Sequence, residues 1–263
     1  MISQINKYSY TNFPKQYGQF MAFKSSVLLP LKLIIFRLGF HVFFGGKKQD
    51  EWVAKDIFKL KKKGFFIDLA STDGIHQNNT YVLEKRLNWS GICIEPNTSF
   101  FNRLKKNRNC ICVNSVVSKN ESNVKFFENG GNGGIIGDKY DNNYQKRSAL
   151  LGKKKNFRKI KNYRSTTLLS ILKKFNAPKT IDYLSLDVEG SEEEILKKFP
   201  FKKYKFLTLT IERPSKSLNK LLFKNKYLFV KNYKVDTFYI HKSLQKKIDI
   251  KLNKFEQIGK KKW

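Results

Sequence analysis

The chain alternates short apolar runs with segments of helical periodicity between residues 65 and 222. Three of the apolar runs end in an acidic residue, at Asp68, Glu95 and Asp187. Short apolar runs rich in aromatic and β-branched residues are typical of strands buried on both faces of a parallel sheet. The alternation therefore predicts a mostly parallel, doubly wound sheet with helices on both faces. The predicted strands are 65–69, 91–95, 110–117, 124–128, 182–187 and 206–211, and the predicted helices are 78–88, 98–107, 165–175, 191–200 and 214–222.

The C-terminal part of the pattern predicts a hairpin. Two apolar runs, 227–231 and 235–240, are joined by a few polar residues, which favours antiparallel pairing. Class I, Rossmann-like methyltransferases carry such a hairpin at the end of their sheet, but the strand pattern alone also suits other doubly wound folds. We expect an α/β domain over residues 51–243, an N-terminal extension over 1–50 and a lysine-rich basic tail over 244–263.

The pattern is lost between residues 129 and 164. Residues 129–134 are mostly glycine and asparagine, which predicts a flexible loop. Residues 138–164 are polar, basic and without a clear period, which predicts a long loop. Loops of this length in compact domains are commonly functional, so the segment 130–164 is a candidate lid over a binding site.

The formal net charge is +32, from 53 lysine and arginine residues against 21 acidic residues. Such a charge attracts nucleic acid, anionic lipid or acidic glycans. Only 8 of the basic residues are arginine, the residue favoured for bidentate phosphate binding. Abundant Lys, Asn, Ile, Phe and Tyr also fit the composition that an AT-rich genome encodes. Nucleic acid is therefore a less favoured partner, while attraction to an anionic membrane surface is expected from either origin.

Residues 27–44 form the longest apolar segment, interrupted by Lys32, Arg37 and His41. A lysine or arginine at the bilayer centre costs about 2.5–3.5 kcal/mol, which argues against a membrane span. Two interpretations remain open: a helix in the membrane interface, or a helix packed on the domain.

The chain has three cysteines, Cys93, Cys110 and Cys112. An odd number gives no complete set of disulfides, and the C-x-x-C pairs of a zinc site are absent from the sequence. The N-terminus is polar up to Lys24 and shows no signal-peptide pattern. We therefore expect reduced thiols in a cytoplasmic protein, with peripheral membrane contact as the alternative that residues 27–44 leave open.

The acidic strand ends indicate the ligand site, because ligands of open α/β sheets bind beyond the carboxyl ends of the strands. An acid at the position of Glu95 is suited to accept both hydroxyls of a ribose. The preceding turn uses small residues, Ala70, Ser71 and Gly74, but it is neither a G-x-G-x-x-G nor a Walker motif. This argues against NAD and ATP. An acid-rich turn suits a cationic ligand, and S-adenosylmethionine carries a sulfonium and an ammonium.

Four sequence blocks resemble the FkbM family of S-adenosylmethionine-dependent methyltransferases. The last block, with the string D-V-E-G-S-E, is the most specific, and the match covers about residues 64–241. The family usually has glycine at the position of Ala70 and often Ala-Asn at Ser71-Thr72. The blocks are Ile67–Gly74, Asn79–Thr80 with Leu83–Glu84, Trp89–Pro96 and Ile181–Glu192.

The resemblance implies a class I fold, S-adenosylmethionine as cofactor and O-methyl transfer to a glycan or other small molecule. It implies that Asp68, Asp73 and Gly74 line the methionine side of the cofactor and that Glu95 holds its ribose. Asn114 and Ser115 would lie near the adenine, with Asp187 and Glu189 facing the reacting centre. The full set of candidate cofactor-binding residues is Asp68, Ala70, Thr72, Asp73, Gly74, Asn79, Glu95, Pro96, Asn114, Ser115 and Asp187.

An alcohol nucleophile needs a base within hydrogen-bond reach, and the candidates are Asp187, Glu189 and His76, in that order. Asp187 and Glu189 are also two potential ligands of a divalent ion, but an Asp-x-Glu pair alone does not establish a metal site. Glu212, after the fifth strand, is a further candidate substrate contact. The alternative function is an RNA methyltransferase, or a nucleic-acid-binding protein on the same fold, which the charge motivates.

Overall fold

The chain folds around two β-sheets. A computed structural model describes residues 28–128, 131, 133–138, 140 and 160–259. The larger sheet has seven strands and the smaller has three. The strands are β1 (Phe65–Leu69), β2 (Ser90–Ile94), β3 (Ile111–Val113), β4 (Asn123–Phe127), β5 (Gly134–Ile135), β6 (Ile160–Arg164), β7 (Thr180–Leu186), β8 (Lys205–Glu212), β9 (Tyr227–Tyr233) and β10 (Asp236–His241). The helices are 28–37, Gln49–Glu51 continuing as a π-helix over Trp52–Ile57, Tyr81–Leu87, Thr98–Asn107, Leu168–Lys174, Glu192–Lys197, Lys216–Lys224 and Lys242–Gln245.

The larger sheet has the strand order β3-β2-β1-β7-β8-β10-β9. The first five of these strands run parallel, and β10 pairs antiparallel with both β8 and β9. This confirms the predicted class I methyltransferase architecture and its C-terminal hairpin. Because β2, β1, β7 and β8 are parallel neighbours, their carboxyl ends meet at one edge of the sheet.

Two apolar layers cover the sheet. One contains Ile67, Leu184 and Leu209, with Leu172, Leu196 and Leu222 from three helices. The other contains Phe66, Tyr183 and Phe238, with Trp52 and Leu83 from two helices. Strands β1 and β7 contribute alternate residues to the two layers, as expected for strands buried on both faces. The two layers hold the strand ends in fixed positions.

Most predicted strands and helices agree with the structure within three residues, but two predictions were wrong. The strand predicted over 110–117 ends at Val113, because the Asn114 side chain turns back to hydrogen-bond the carbonyls of Glu95 and Pro96. The strand predicted over 124–128 is present as β4; it lies outside the large sheet and pairs with β5 and β6.

The second wrong prediction concerns the segment 129–164. Gly134–Ile135 and Ile160–Arg164, expected to be loop, are strands on either side of β4. Tyr163 packs edge-on against Phe126, and its hydroxyl donates to Glu128 Oε1 at 2.5 Å. These contacts stabilise a strand that shows no apolar period in the sequence. Most of the remaining candidate lid, 141–159, lies outside the described residues.

Residues 28–49 pack on the domain. Leu29 and Phe36 of the first helix are buried with Phe44, Ile75 and Val82. Asp50 fixes the segment by accepting the backbone N–H groups of Phe44 and Gly45 at 2.5 and 3.0 Å. Within the part of the chain that the structure describes, no helix combines the length and apolarity that crossing a membrane requires.

The three cysteines are free thiols. Cys93 is fully buried in β2, and the Cys110 thiol donates to its sulfur at 3.5 Å. Cys110 and Cys112 are half-buried. Burial raises the pKa of Cys93 well above its usual value, so this thiol stays protonated and unreactive.

Candidate functional site

An open cleft lies at the carboxyl ends of β1 and β2. The main-sheet wall contains Leu69 and Ile94, the last residues of these two strands, together with Glu95. The cleft also contains five of the predicted cofactor-binding residues: Ala70, Thr72, Glu95, Pro96 and Ser115.

Glu95 is the buried acid of the cleft. Its Oε2 accepts the Thr72 N–H and its Oε1 accepts the Asn97 N–H, both at 2.8 Å. The carboxylate thus joins the loops that follow β1 and β2, and each oxygen retains capacity for a second hydrogen bond. Burial raises the pKa of Glu95 to about 7, although the two backbone hydrogen bonds oppose the shift. Donors from a ligand would favour the ionised form.

The loop after β1 is strained at the cleft. Ala70 and Thr72 have φ angles of +62° and +50°, in the left-handed region. L-residues adopt this region at a cost of about 1–2 kcal/mol. Glu189 and Arg213, after β7 and β8, are also left-handed, with φ of +56° and +40°. Four strained residues therefore follow three strand ends at the same edge of the sheet, a distribution that is common at functional sites.

The small sheet supplies the opposite wall, which the sequence did not predict. Phe126 and Ile135 line the cleft and form one buried cluster with Val116. The isolated apolar run 124–127 and Ile135 after the glycine-rich segment were the available signals. Neither signal indicated a wall of the cleft until the structure showed that β4 pairs with β5 and brings Phe126 beside Ile135.

Three predicted residues support the loop after β1 from behind rather than lining the cleft. Asp68 is buried and accepts hydrogen bonds from Asn78 Nδ2 at 2.9 Å and Thr80 Oγ1 at 2.8 Å. Asp73 Oδ1 accepts the backbone N–H groups of Ile75 and His76.

Gly74, the third of them, is required by packing. It has a φ of +81°, and a Cβ there would lie 2.7 Å from side-chain atoms of Leu104 and Arg108. Arg108 is itself buried, bonding Glu84 Oε2 at 2.8 Å and Thr80 Oγ1 at 3.0 Å. The acid-rich turn is therefore held by a buried cation from the neighbouring helix.

Asn79 carries a buried acceptor without a partner. Its Nδ2 donates to Ser185 Oγ at 2.9 Å, which places the side chain over the paired strands β1 and β7. Its Oδ1 accepts no hydrogen bond from the described residues. A buried polar atom without a partner is costly, and a ligand donor is one way to satisfy it.

Asn114 contacts the protein rather than the open cleft. It holds the backbone after β2 through the carbonyls of Glu95 and Pro96, at 2.7 and 2.9 Å. The next residue, Ser115, lines the cleft, and so does Val116. Asn114 thus acts on the cleft through the loop that it fixes.

A second polar group lies beyond β7 and β8. Carboxylate oxygens of Asp187, Glu189 and Glu212 all lie within 4.8 Å of one another. Lys47, from the N-terminal segment, places its Nζ 3.7 Å from Asp187 Oδ2, 3.5 Å from Glu212 Oε1 and 3.4 Å from Asp236 Oδ1. We call Lys47, Asp187, Glu189, Glu212 and Asp236 the acidic cluster.

The cluster is electrostatically crowded. Burial, together with the charge of Glu212, raises the pKa of half-buried Asp187 well above its usual value. Burial likewise raises the pKa of Asp236 to about 6, with Lys47 opposing the shift. Burial alone would lower the pKa of Lys47, but the three acids around it outweigh that effect and raise it. Lys47 is therefore a fixed cation.

Three oxygen atoms at this spacing are also suited to a divalent cation. Lys47 already supplies positive charge to two of the three acids, Asp187 and Glu212. Glu189 is buried, and the helix that follows it is held by Glu192, which accepts the N–H groups of Val188 and Gly190.

His76, the third candidate base, lies in the loop after β1. Its backbone N–H donates to Asp73 Oδ1 at 2.9 Å. Burial lowers the pKa of its imidazole, nearby Asp73 opposes this, and Lys32 of the first helix adds to it. The pKa of the His76 imidazole is thus affected by a residue of the first helix. The other two candidate bases, Asp187 and Glu189, belong to the acidic cluster instead.

The cleft residues fit an adenosine-type cofactor. Apolar walls suit a base, the two oxygens of Glu95 suit ribose hydroxyls, and small Ala70 leaves space beside the backbone. A base and ribose hydroxyls are groups that S-adenosylmethionine presents. Asn79 does not line this cleft; its unpaired Oδ1 lies beside Gly45 of the N-terminal segment, where it could accept a further donor.

Comparison with known proteins gives a family. The model of the methyltransferase FkbM domain matches residues 68–248. A search of curated proteins gives no match. One similar solved structure is TrmK of M. capricolum in complex with S-adenosyl-homocysteine, with 11% identity, 75% of this chain and 68% of that chain covered, and a TM-score of 0.41.

Two further solved structures are similar. Precorrin-6y C5,15-methyltransferase from Geobacter metallireducens has 10% identity over 73% of this chain and 84% of that chain, with a TM-score of 0.38. The hMettl16 catalytic domain in complex with the MAT2A 3′UTR hairpin 6 has 12% identity over 82% of this chain and 80% of that chain, with a TM-score of 0.37. The family model spans more than half of the chain and includes both the cleft acid Glu95 and most of the acidic cluster. This chain therefore belongs to the FkbM family of S-adenosylmethionine-dependent methyltransferases.

Proposed function

We propose that this protein transfers the methyl group of S-adenosylmethionine to a hydroxyl oxygen of a glycan or another hydroxylated small molecule. The observation that carries the proposal is the position of Asp187, a half-buried carboxyl group directly after β7 whose oxygens lie within 4.8 Å of those of Glu189 and Glu212. A carboxylate with a raised pKa is a stronger base than an ordinary aspartate. An alcohol needs such a base because it loses its proton during methylation.

The cleft residues supply the cofactor site. Bound S-adenosylmethionine provides a methyl group activated by its sulfonium. Glu95 accepts the ribose hydroxyls, and Asn79 Oδ1 accepts from the ammonium. Ser115 and its neighbours face the adenine. Ala70, Thr72 and Pro96 form the backbone walls, while Asp68, Asp73, Gly74 and Asn114 fix the loops that carry them.

The acidic cluster receives the acceptor. Asp187 would take the proton of the acceptor hydroxyl as its oxygen accepts the methyl group, and the electron pair of the broken carbon–sulfur bond would stay on the sulfur of the bound cofactor. Glu189 is the second candidate base and His76 the third. Lys47 keeps the cluster from accumulating four uncompensated charges.

The charge distribution favours a hydroxylated small molecule over RNA. The whole chain is strongly cationic, yet the acidic cluster has four carboxyl groups against one lysine, with Arg213 bonded to Glu212. A phosphate backbone entering this region would meet like charge. The lysines are also spread along the sequence instead of interleaving with aromatic residues in one segment.

The test compares Asp187→Asn with Asp249→Asn, an exposed aspartate that provides the same change of charge. Calorimetry with S-adenosylhomocysteine measures cofactor-site occupancy. Transfer of tritiated methyl groups from S-adenosylmethionine into a glycan pool and an RNA pool measures the reaction.

Asp187→Asn is expected to reduce methyl transfer at least about 100-fold with cofactor-product affinity changed less than threefold, because only the base is lost. Asp249→Asn is expected to leave both unchanged. Labelling of RNA instead of glycans, or full activity of Asp187→Asn, would refute the proposal.

A further inference from the structure

The first helix, 28–37, is apolar on two opposite faces. One face, with Leu29 and Phe36, is buried against Ile75 and Val82 of the domain. The other face contains Leu28, Leu31, Ile34 and Leu38, spaced three, three and four residues apart, as residues on one side of a helix are. A helix with only one side to bury normally carries polar residues on the other.

The second face is exposed. The exposed fractions are 48% for Leu28, 50% for Leu31, 50% for Ile34 and 70% for Leu38. Phe40, just beyond the helix, is 63% exposed. Among the described residues these five form the greater part of the exposed large apolar side chains; the others are Leu60, Ile111 and the pair Phe223 and Phe255, whose rings contact each other. A contiguous exposed apolar patch indicates an interaction surface.

Basic residues border this face. With 3.6 residues per turn, Lys32 falls on one side of the exposed apolar row and Arg37 on the other. Both are exposed, and Lys32 Nζ donates to the carbonyl of Phe43 at 3.1 Å. Residues 1–49 contain no aspartate or glutamate, and the first acid of the chain is Asp50. The segment that carries the row is therefore apolar with basic edges, and it contributes no acidic side chain of its own.

An anionic lipid bilayer matches all of these features. Leucine and phenylalanine side chains insert at the boundary of headgroups and acyl chains, while lysine and arginine at the edges meet anionic headgroups. A nucleic acid would be attracted to the charge but gains little from a row of leucines. A second copy of this chain would bring equal positive charge to the contact.

We propose that the face formed by Leu28, Leu31, Ile34, Leu38 and Phe40 docks on the surface of an anionic membrane. The helix lies in the interface and does not cross the bilayer, since its 10 residues reach about half the length of a span. The inference goes beyond the proposed function, because docking requires neither the cofactor nor an acceptor. The docking face belongs to a helix whose inner face, with Leu29 and Phe36, is already packed on the domain.

The experiment is sedimentation of the full chain with vesicles. The probes are phosphatidylcholine vesicles with and without phosphatidylglycerol. The test variant is the triple substitution Leu31→Glu, Ile34→Glu and Leu38→Glu. Its control is Leu60→Glu, Ile111→Glu and Phe223→Glu, which adds the same three negative charges at exposed apolar residues elsewhere. A serine triple at 31, 34 and 38 removes the apolar face without adding charge.

The wild type is expected to bind the phosphatidylglycerol vesicles, with much weaker binding to phosphatidylcholine alone. The glutamate triple should lower the partition coefficient at least about tenfold and the serine triple about fivefold, because docking requires apolar insertion as well as charge. The control triple should stay within about twofold. Melting temperatures show whether all variants remain folded.

Three results would overturn the proposal: equal loss of binding in the control triple, which would mean charge alone; no binding of the wild type to either vesicle; or an oligomer in sedimentation equilibrium that the serine triple converts to a monomer. The last result would assign the face to a second copy. Cofactor binding measured on the same samples separates a failure here from a failure of the proposed function.

Discussion

Lys47 Nζ lies 3.7 Å from Asp187 Oδ2. The lysine comes from the segment that precedes the family match and the aspartate from within it. The same ammonium contacts Glu212 and Asp236. The N-terminal segment thus supplies the cation that permits several acids to gather beyond β7 and β8. Two packed elements, the segment 44–49 and the sheet edge, together form this part of the site.

Replacing Lys47 by methionine should destabilise the protein more at alkaline than at acidic pH. At pH 8 Asp236, with a pKa of about 6, is ionised and loses its cation, which should cost about 2 kcal/mol of unfolding free energy. Near pH 5, below the pKa of about 6 for Asp236, protonation relieves the repulsion and the cost should shrink. Urea unfolding at both pH values measures this. Lys48→Met, an exposed neighbour with the same charge change, should cost little at either pH; equal losses in both variants would contradict the prediction.

Cofactor binding should strengthen as pH rises through about 7. Burial raises the pKa of Glu95 to about 7, and ribose hydroxyls donate to the ionised form. Affinity for S-adenosylhomocysteine should therefore level off above pH 8 and fall up to about tenfold per unit below pH 7. Glu95→Gln should bind about thirtyfold more weakly at pH 8 and lose the pH dependence. Calorimetry across this range is the measurement, with exposed Glu256→Gln as control. A flat profile in the wild type would exclude the role of Glu95.

Replacing Asn79 should weaken the binding of one ligand and leave the affinity for another almost unchanged. Asn79→Ala removes the buried Oδ1, so affinity for S-adenosylhomocysteine should fall about tenfold, equivalent to about 1.4 kcal/mol. Affinity for 5′-methylthioadenosine, which lacks the ammonium, should change less than twofold. Ser185→Ala removes the partner of Asn79 Nδ2 and should spare both ligands. Parallel loss of both affinities in Asn79→Ala would indicate a structural role only.

Ala70→Gly should stabilise the protein. Ala70 has a φ of +62°, which glycine adopts without the steric cost of a Cβ, so unfolding free energy should rise by about 0.5–1 kcal/mol. Affinity for S-adenosylhomocysteine should be equal or higher, because the side chain lines the cleft. Buried Ala177, which lacks a positive φ, is the control, and Ala177→Gly should lose about 1 kcal/mol. Urea unfolding decides; similar losses at both positions would refute the strain at Ala70.

Periodicity was sufficient to predict the centre of the sheet, because the four parallel strands β1, β2, β7 and β8 are largely buried on both faces and are therefore mostly apolar. The acids at their ends, Glu95 and Asp187 among them, were visible for the same reason: a carboxylate after an apolar run marks the point where the strand leaves the core. Strand β6 was missed because only two of its side chains, Ile160 and Tyr163, are partly buried, and two residues make no period.

The residue types in the sequence also did not show which acidic side chains line the cleft. Asp68 and Asp73 have the same chemistry and nearly the same position in the chain as a ligand-binding acid would, yet their oxygens are taken by Asn78, Thr80 and neighbouring backbone groups. Those partners come from a turn whose path depends on the packing of Arg108 and Gly74.

The amino-acid sequence by itself determined the class I fold, the family and the edge of the sheet at which ligands bind, since these follow from local burial patterns and short motifs. Only the tertiary structure decided that Phe126 and Ile135 form a wall of the cleft, that Lys47 joins Asp187, and that one face of the first helix is left exposed. These features are contacts between segments far apart in the chain. Such contacts depend on how packed elements approach one another, which no local pattern of residues encodes.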